Sequence, residues 1–319
     1  MTKKFVQIEP EKIEEDSFYF ISNTIEKDKQ NEDKYAENIY PPIIIESNSD
    51  KYILIEGFER VTALKHRAIK EIDAFILPGS FSIENFIYSI LYRKTFQQLN
   101  LIEKSVIVEK IINQFKIEGK KVVERYLPII DEKPSRKILE TLLLLNNLAQ
   151  STKQLIIREN LSLKIAREFL KYSIEEQETL FFWIDFLNLG VNKIKLVLES
   201  LNHLSKRDSK DISELLESNY FSELKDKEGI SINTLQDRFF GELLNMRFPQ
   251  YQSQLSQVQE IIKRFKLPPR WKINPPKNLE GEGIEMNFYV RDVEEYQKVI
   301  EKLKSIDKSD DIGKLFDLL

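Results

Sequence analysis

Cysteine is absent from the 319 residues. That excludes disulfides, thiolate nucleophiles and zinc or iron–sulfur centres held by cysteine, and it suits a reducing cytosol. The only histidines are His66 and His203, so a histidine-based zinc site or a Ser-His-Asp triad would hang on one of them. With 9 glycines and 11 prolines, the chain is poor in the residues that a turn-rich all-β protein or a glycine-rich phosphate loop needs. No run reaches the roughly 18 apolar residues of a membrane span, and the opening MTKKFVQIEP lacks the apolar stretch of a secretion signal. A soluble, cytoplasmic protein is expected.

Hydrophobic residues make up 41% and charged residues 31% of the chain, enough apolar side chains for a sizeable core under a solvated, helix-rich surface. The length allows two or three domains. The net charge of −4 is unevenly spread. Residues 1–50 carry 6 basic and 12 acidic side chains, whereas residues 116–137 carry 7 and 4, and residues 260–277 carry 6 and 1. Any affinity for nucleic acid is therefore local.

Short strands are expected at Phe5–Ile8, at Ile43–Ile45, at Tyr52–Ile55 and at Ile72–Leu77, the middle two joined as a hairpin by the polar turn Ser47–Asp50. Residues 23–38 read as an exposed loop or weak helix. Arg60–Ala68 reads as a helix with Val61, Leu64 and Ala68 on one face. From Ser82 the period turns helical, with helices expected over 83–95, 102–115, 120–127, 136–148, 163–170, 175–189, 191–204, 211–218, 232–246 and 256–265. Phe181, Phe182 and Trp183 read as core. After Pro268-Pro269 a β-β-α unit is expected: Trp271–Ile273, the alternating strand Ile284–Val290, and the amphipathic helix 293–306. Residues 312–319 form an apolar tail, expected to pack on its own chain or to serve as a dimer contact. The fold class is thus α+β and mostly helical. The expected segments are 1–95, 96–200, 201–268 and 269–319.

A strand ending at Gly57 with a helix opening near Arg60 aims backbone N–H groups and a positive dipole end at one spot. Arg60 adds a planar cation suited to phosphate. The alternative is a helix start with Arg60 in a surface ion pair. Glu56 and Glu59 read as carboxylates at a helix start, favoured by the same dipole.

The stretch Pro41-Pro42, Tyr52–Glu56, Gly57-Phe58-Glu59-Arg60, Ala63 and Glu71-Ile72 resembles the N-terminal domain of the ParB and sulfiredoxin-like superfamily. Residues 99–123 are similar to the ParB segment after its nucleotide pocket, and residues 138–170 to its recognition-helix region. The resemblance covers roughly residues 1–190 and implies an α/β nucleotide-pocket domain followed by a helix-turn-helix domain. It implies CTP with Mg2+ as ligand, held by Gly57, Phe58, Glu59, Arg60, Arg93 and Lys94. It implies DNA as partner, a homodimer, a partition-type protein partner and a place on the nucleoid. The chain departs from the family pattern in two places. Glu59 stands where the family has an arginine, and Tyr92-Arg93-Lys94-Thr95-Phe96 stands where it has Glu-Asn-x-x-Arg. The pocket is read as degenerate, with weak CTP hydrolysis left open and no residue assigned as catalytic or metal-binding. The sulfiredoxin reaction is excluded, because it needs a cysteine in the equivalent turn.

In the helix-turn-helix reading, 120–127 is the first helix and 135–145 enters the major groove. Ser135, Arg136, Lys137, Glu140 and Thr141 face the groove, while Lys116, Lys120, Lys121 and Arg125 meet phosphates. The connection 128–134, with two prolines and two acids, is longer than the usual three or four residues. Two other classes stay open: an interaction or scaffold protein that has lost both ligands, and a small-molecule kinase resting on Glu56 and Glu59. The basic, aromatic stretch 263–272 reads either as a single-strand surface or, preferably, as core anchors at a domain junction.

Overall fold

The computed structural model describes residues 4–15, 18–21, 40–46, 51–79, 82–217, 219–225, 229–279, 281, 283–307 and 309–319. The expected loop or weak helix at 23–38 and the turn at 47–50 lie outside them. Two compact units divide the chain, residues 1–198 and 199–319. The expected segments 1–95 and 96–200 fall in the first, apart from their last two residues, and 201–268 and 269–319 fall in the second.

The first unit opens with a five-stranded mixed sheet in the order β1-β5-β3-β4-β2. Its strands are β1 (Lys4–Ile8), β2 (Ile13–Glu15), β3 (Ile43–Glu46), β4 (Tyr52–Glu56) and β5 (Ile72–Leu77). β3 is central. It pairs antiparallel with β4 and parallel with β5, and its three isoleucines are buried. A run of β-branched residues without polar alternation is what a strand covered on both faces requires. β5 alternates instead, with Ile72, Ala74 and Ile76 inward. The edge strand β1 leaves Phe5 exposed, stacked edge-on against Phe75 at 5.5 Å.

Helix α1 (Phe58–His66) follows β4 directly, and α2 (Ile83–Lys94) follows β5, capped by Ser82 Oγ, which accepts from the Asn85 amide at 3.2 Å. α2 packs on β4 and buries Phe86, Ser89, Ile90 and Arg93, one stripe at helical spacing. Phe86 also meets Phe115 at 5.3 Å, which ties the sheet domain to the end of α3 (Leu101–Asn113). α3 starts with a capping box: Asn100 Oδ1 accepts from the Ile102 and Glu103 amides, and Glu103 Oε2 accepts from the Asn100 amide at 2.9 Å.

Beyond α3 the chain forms α4 (Gly119–Lys121), which runs on as a π-helical turn (Val122–Tyr126), and then a 3-10 turn (Pro128–Ile130). α5 (Arg136–Leu145), α6 (Gln150–Arg158), α7 (Leu163–Phe169), α8 (Ile174–Phe186) and α9 (Val191–Asp208) complete the helical part. Ser105 Oγ on α3 donates to the Leu142 carbonyl on α5 at 2.7 Å, fixing those two helices against each other. Buried Gln177 accepts from the Ala149 amide at 2.8 Å and donates to the Tyr172 carbonyl at 3.0 Å, so one side chain satisfies two helix junctions. Trp183 is core as expected, but Phe182 is exposed and stacks along the helix on Phe186.

In the second unit, α10 (Ile212–Leu216), α11 (Asn219–Lys225), α12 (Ile232–Arg247) and α13 (Pro249–Arg264) precede the hairpin β6 (Lys272–Asn274)–β7 (Glu285–Asn287), α14 (Val293–Asp307) and α15 (Asp310–Asp317). β7 is shorter than the expected 284–290 because its partner offers only three residues to pair. The inward alternation persists at Ile284, Met286 and Phe288, but Val290 is exposed. The apolar tail is helical: buried Leu315 joins Val258, Ile261, Phe265, Ile273, Leu279 and Ile306 in one core. No helix among the described residues is long and apolar enough to cross a membrane.

Candidate functional site

Gly57 is the hinge between β4 and α1. It caps the helix in the left-handed region, φ +99°, and a Cβ there would stand 3.1 Å from Pro42 Cβ and 3.2 Å from Pro42 Cα. Only glycine meets both demands without strain. The turn therefore presses Pro42 against the start of α1, whose first-turn N–H groups have no partner within the helix.

Arg60 folds back over this turn. Its Nη2 would lie 3.5 Å from a Cβ at Gly57. The side chain is 6% exposed, yet among the described residues it makes no hydrogen bond and no ion pair, and its Nε is buried without a partner. A surface ion pair, the alternative for Arg60, is not what forms. Burial works against the charge on this guanidinium, and Tyr92, Glu56 and Glu59 nearby only partly offset that. A buried arginine cannot shed its proton to escape the cost. It is a desolvated cation with no hydrogen-bonded anion among the described residues.

Tyr92 closes one side. Its hydroxyl donates to the Pro41 carbonyl at 2.9 Å, and burial pushes its ionisation upward. Tyr40 stacks on Phe96 at 4.6 Å beside it.

Behind Arg60 lies a second arginine with the opposite status. Arg93, at 5% side-chain exposure, donates Nη1 to Glu56 Oε1 at 3.0 Å and Nη2 to Glu103 Oε1 at 2.7 Å, with Glu59 Oε1 at 3.9 Å. Burial opposes the charge on Arg93, but these carboxylates more than offset it and hold the guanidinium protonated. Burial also pushes Glu56 up to about 7, although Arg93 draws it down. Among the described residues no group of three His, Asp or Glu side chains is placed to hold a metal ion.

Of the nucleotide-binding residues the resemblance implies, Gly57, Phe58, Glu59 and Arg60 sit together at the turn. Arg93 is turned into the carboxylate cluster. Lys94 leaves the turn altogether: its Nζ donates to the Ile129 carbonyl at 2.5 Å and pairs with Asp131 at 2.8 Å. Glu103 was missed by sequence reasoning. The signal that could have revealed the cluster is Arg93 itself, a charge on the apolar stripe of α2.

The helical candidates are placed differently. Lys116, Lys120, Lys121, Arg125, Arg136 and Lys137 are all exposed, with Ser135 half-buried at the start of α5. Arg136 is 88% exposed and pairs along its helix with Glu140 at 2.8 Å. Thr141, expected in the groove-facing set, is buried instead, its hydroxyl donating to the Lys137 carbonyl at 2.8 Å. The long connection is an anchored segment. Lys94 holds residues 129 and 131, and Lys104 pairs with Glu132 at 2.7 Å.

The chain is similar in fold to two structures of C-terminally truncated chromosome-partitioning protein ParB from Caulobacter crescentus. The one complexed to the centromeric parS site shares 14% identity over 61% of this chain and 98% of that one, with a TM-score of 0.35. The one complexed with CTP-γ-S shares 14% identity over 57% of this chain and 98% of that one, with a TM-score of 0.27. No family model and no curated protein matches the sequence. At this degree of likeness, neither structure bears on how the turn at Gly57 or the exposed lysines work.

In the second unit, Phe265 of the basic stretch is core, and Trp271 packs edge-on against Phe288 at 5.4 Å. Trp271 lines an open cleft of about 430 Å³ with Lys266, Lys298 and Lys302. His66 is an exposed last residue of α1, and His203 lies within α9.

Proposed function

We propose that this chain is a ParB-like, DNA-binding protein of the chromosome- or plasmid-partition type, with a nucleotide pocket at the Gly57 turn. The observation that carries the pocket is Arg60, buried and unpaired over a helix N-terminus. Phosphate there would gain backbone N–H donors, the helix dipole and a desolvated guanidinium at once. Gly57, Phe58 and Glu59 supply the turn, and Tyr92 with Pro41 forms its wall. CTP is the nucleotide that the sequence resemblance implies.

DNA binding is assigned to α4, its π-turn and α5. The support is the exposed set Lys120, Lys121, Arg125, Arg136 and Lys137 on two successive helical segments, with exposed Lys116 in the loop before them, in a net-acidic protein. Lysines of this kind neutralise phosphates without reading sequence, and Ser135, Arg136 and Lys137 stand at the N-terminus of the second helix, where base edges are read. Mg2+ does not fit the residues present. The buried carboxylates Glu56 and Glu103 already bond Arg93, so no step is assigned to a metal. The test is calorimetric titration of CTP, ATP and GTP into the full chain and its Arg60→Ala variant. Binding of one nucleotide that the variant loses supports the pocket, and equal binding by both removes it. An interaction protein without ligands is the second reading, favoured by the acidic total and by Glu59 at the turn.

A further inference from the structure

We propose that Arg93 occupies the place of a divalent cation beside this pocket, so that the Gly57–Arg60 turn takes a phosphate-bearing nucleotide in its metal-free form. This inference rests on the pocket reading above.

Three carboxylates lean toward one guanidinium: Glu56 from the end of β4, Glu59 from the first turn of α1 and Glu103 from the first turn of α3. Their side chains come from three different elements. Carboxylates are the ligands that a divalent cation prefers, but among the described residues these are not placed to hold one, and the charge they meet is a guanidinium. The cation they gather around is the side chain of a fourth element, α2. The oxygens are already committed. Glu103 accepts from Arg93 through Oε1 and from the Asn100 amide through Oε2, and Glu56 accepts from Arg93 through Oε1.

A magnesium ion would need those oxygens at roughly 2.0–2.1 Å in near-octahedral array. It would have to expel a guanidinium that stays charged at any accessible pH and has no water to retreat into. Two cations would then compete for one set of carboxylates. The tethered one has the advantage of its covalent attachment and of its two short, charge-assisted bonds.

The two arginines thus divide the work that a bound metal commonly does alone. Arg93 neutralises the protein's carboxylates. Arg60, which those carboxylates do not bond, faces the ligand. Without Arg93, a cluster of acids directly behind Arg60 would repel phosphate.

The experiment is calorimetric titration of CTP into the full chain in two buffers, one with excess Mg2+ and one with excess EDTA. The expected result is binding in EDTA that is at least as tight as in Mg2+, and weaker in Mg2+ to the extent that the metal withdraws free CTP, since no metal enters the site. Binding with Mg2+ that weakens tenfold or more in EDTA overturns the inference while leaving the pocket standing. Silence in both buffers overturns the pocket reading and the inference with it. A second measurement uses Mn2+ alone, followed by electron paramagnetic resonance. The expected result is no Mn2+ held at this cluster. Mn2+ bound by the wild-type chain and released by Glu56→Gln would place a metal where Arg93 is argued to sit.

Discussion

Arg93 Nη2 and Glu103 Oε1 stand 2.7 Å apart, joining the last turn of α2 to the first turn of α3. The same carboxylate closes the capping box of α3 through its other oxygen. One residue therefore fixes both where α3 begins and how it sits against the sheet domain. Removing one member of a buried ion pair costs up to about 3–5 kcal/mol where the other charge is left alone, and Arg93 without Glu103 keeps Glu56 and Glu59, so the loss falls short of that full cost. Losing an N-cap alone costs about 1 kcal/mol. Glu103→Ala should therefore destabilise the first unit more than Asn100→Ala in urea melts. Equal losses would show that Glu103 acts only as a cap.

Gly57→Ala tests the hinge. The substitution forces a side chain into φ +99° and brings its Cβ to 3.1 Å from Pro42. A strained non-glycine residue costs about 1–3 kcal/mol, so a lower Tm is expected together with weaker nucleotide binding. A variant with wild-type Tm would show that the turn relaxes freely.

Glu56 gives the account a pH signature. Its carboxyl titrates at about 7 in the folded chain against an ordinary value of 4.5, because burial disfavours its charge. Between those values the folded chain keeps a proton that the unfolded chain has released. This contribution to stability is complete below about pH 4.5 and is lost as pH rises through about 7. Thermal melts of wild type and Glu56→Gln across that window should diverge, with the variant gaining relative stability toward higher pH. A constant difference in Tm would contradict the assignment.

Charge reversal at Lys120, Lys121 and Arg136 tests the helical surface. Each DNA phosphate that the variant no longer neutralises should flatten the logarithmic salt dependence of duplex binding by about 0.9. The triple variant should bind DNA more weakly at low salt and with a shallower slope. The three side chains are exposed, so folding should survive, as far-ultraviolet circular dichroism would show. An unchanged slope would move DNA binding elsewhere or remove it.

Much of this was legible in the sequence, for identifiable reasons. The isoleucine run of β3 and the alternation of β5 announce their burial directly. Ser82 and Asn100 precede helices that the structure shows capped by those side chains, whereas Ser135, the cap read for the helix at Arg136, makes no side-chain capping bond. Other features left weaker marks. β2 is three residues long, two of them Glu, and exists because β4 offers it a parallel edge. α13 begins at Pro249, seven residues before the apolar period becomes readable at Ser256, because Pro at the first helical turn needs no amide partner. The tail becomes the helix α15 only through a core that its own sequence does not contain.

The site was half legible. Gly57 and Arg60 carry a local pattern, since a turn and the residue three beyond it are neighbours in sequence and in space. The Glu56–Arg93–Glu103 cluster has no such pattern, because its members are brought together by the packing of α2 on β4 and by the start of α3. Lys94 looks like its neighbour Arg93 in sequence, but the helix turns it toward the 128–131 segment.

The central claim is that Arg60 is a buried cation held for a phosphate. Its most direct test is titration of CTP into the full chain and into Arg60→Ala, followed by calorimetry. The account predicts saturable binding to the wild type and none to the variant, with the variant still folded. Binding of equal strength to both, or to neither, would contradict it.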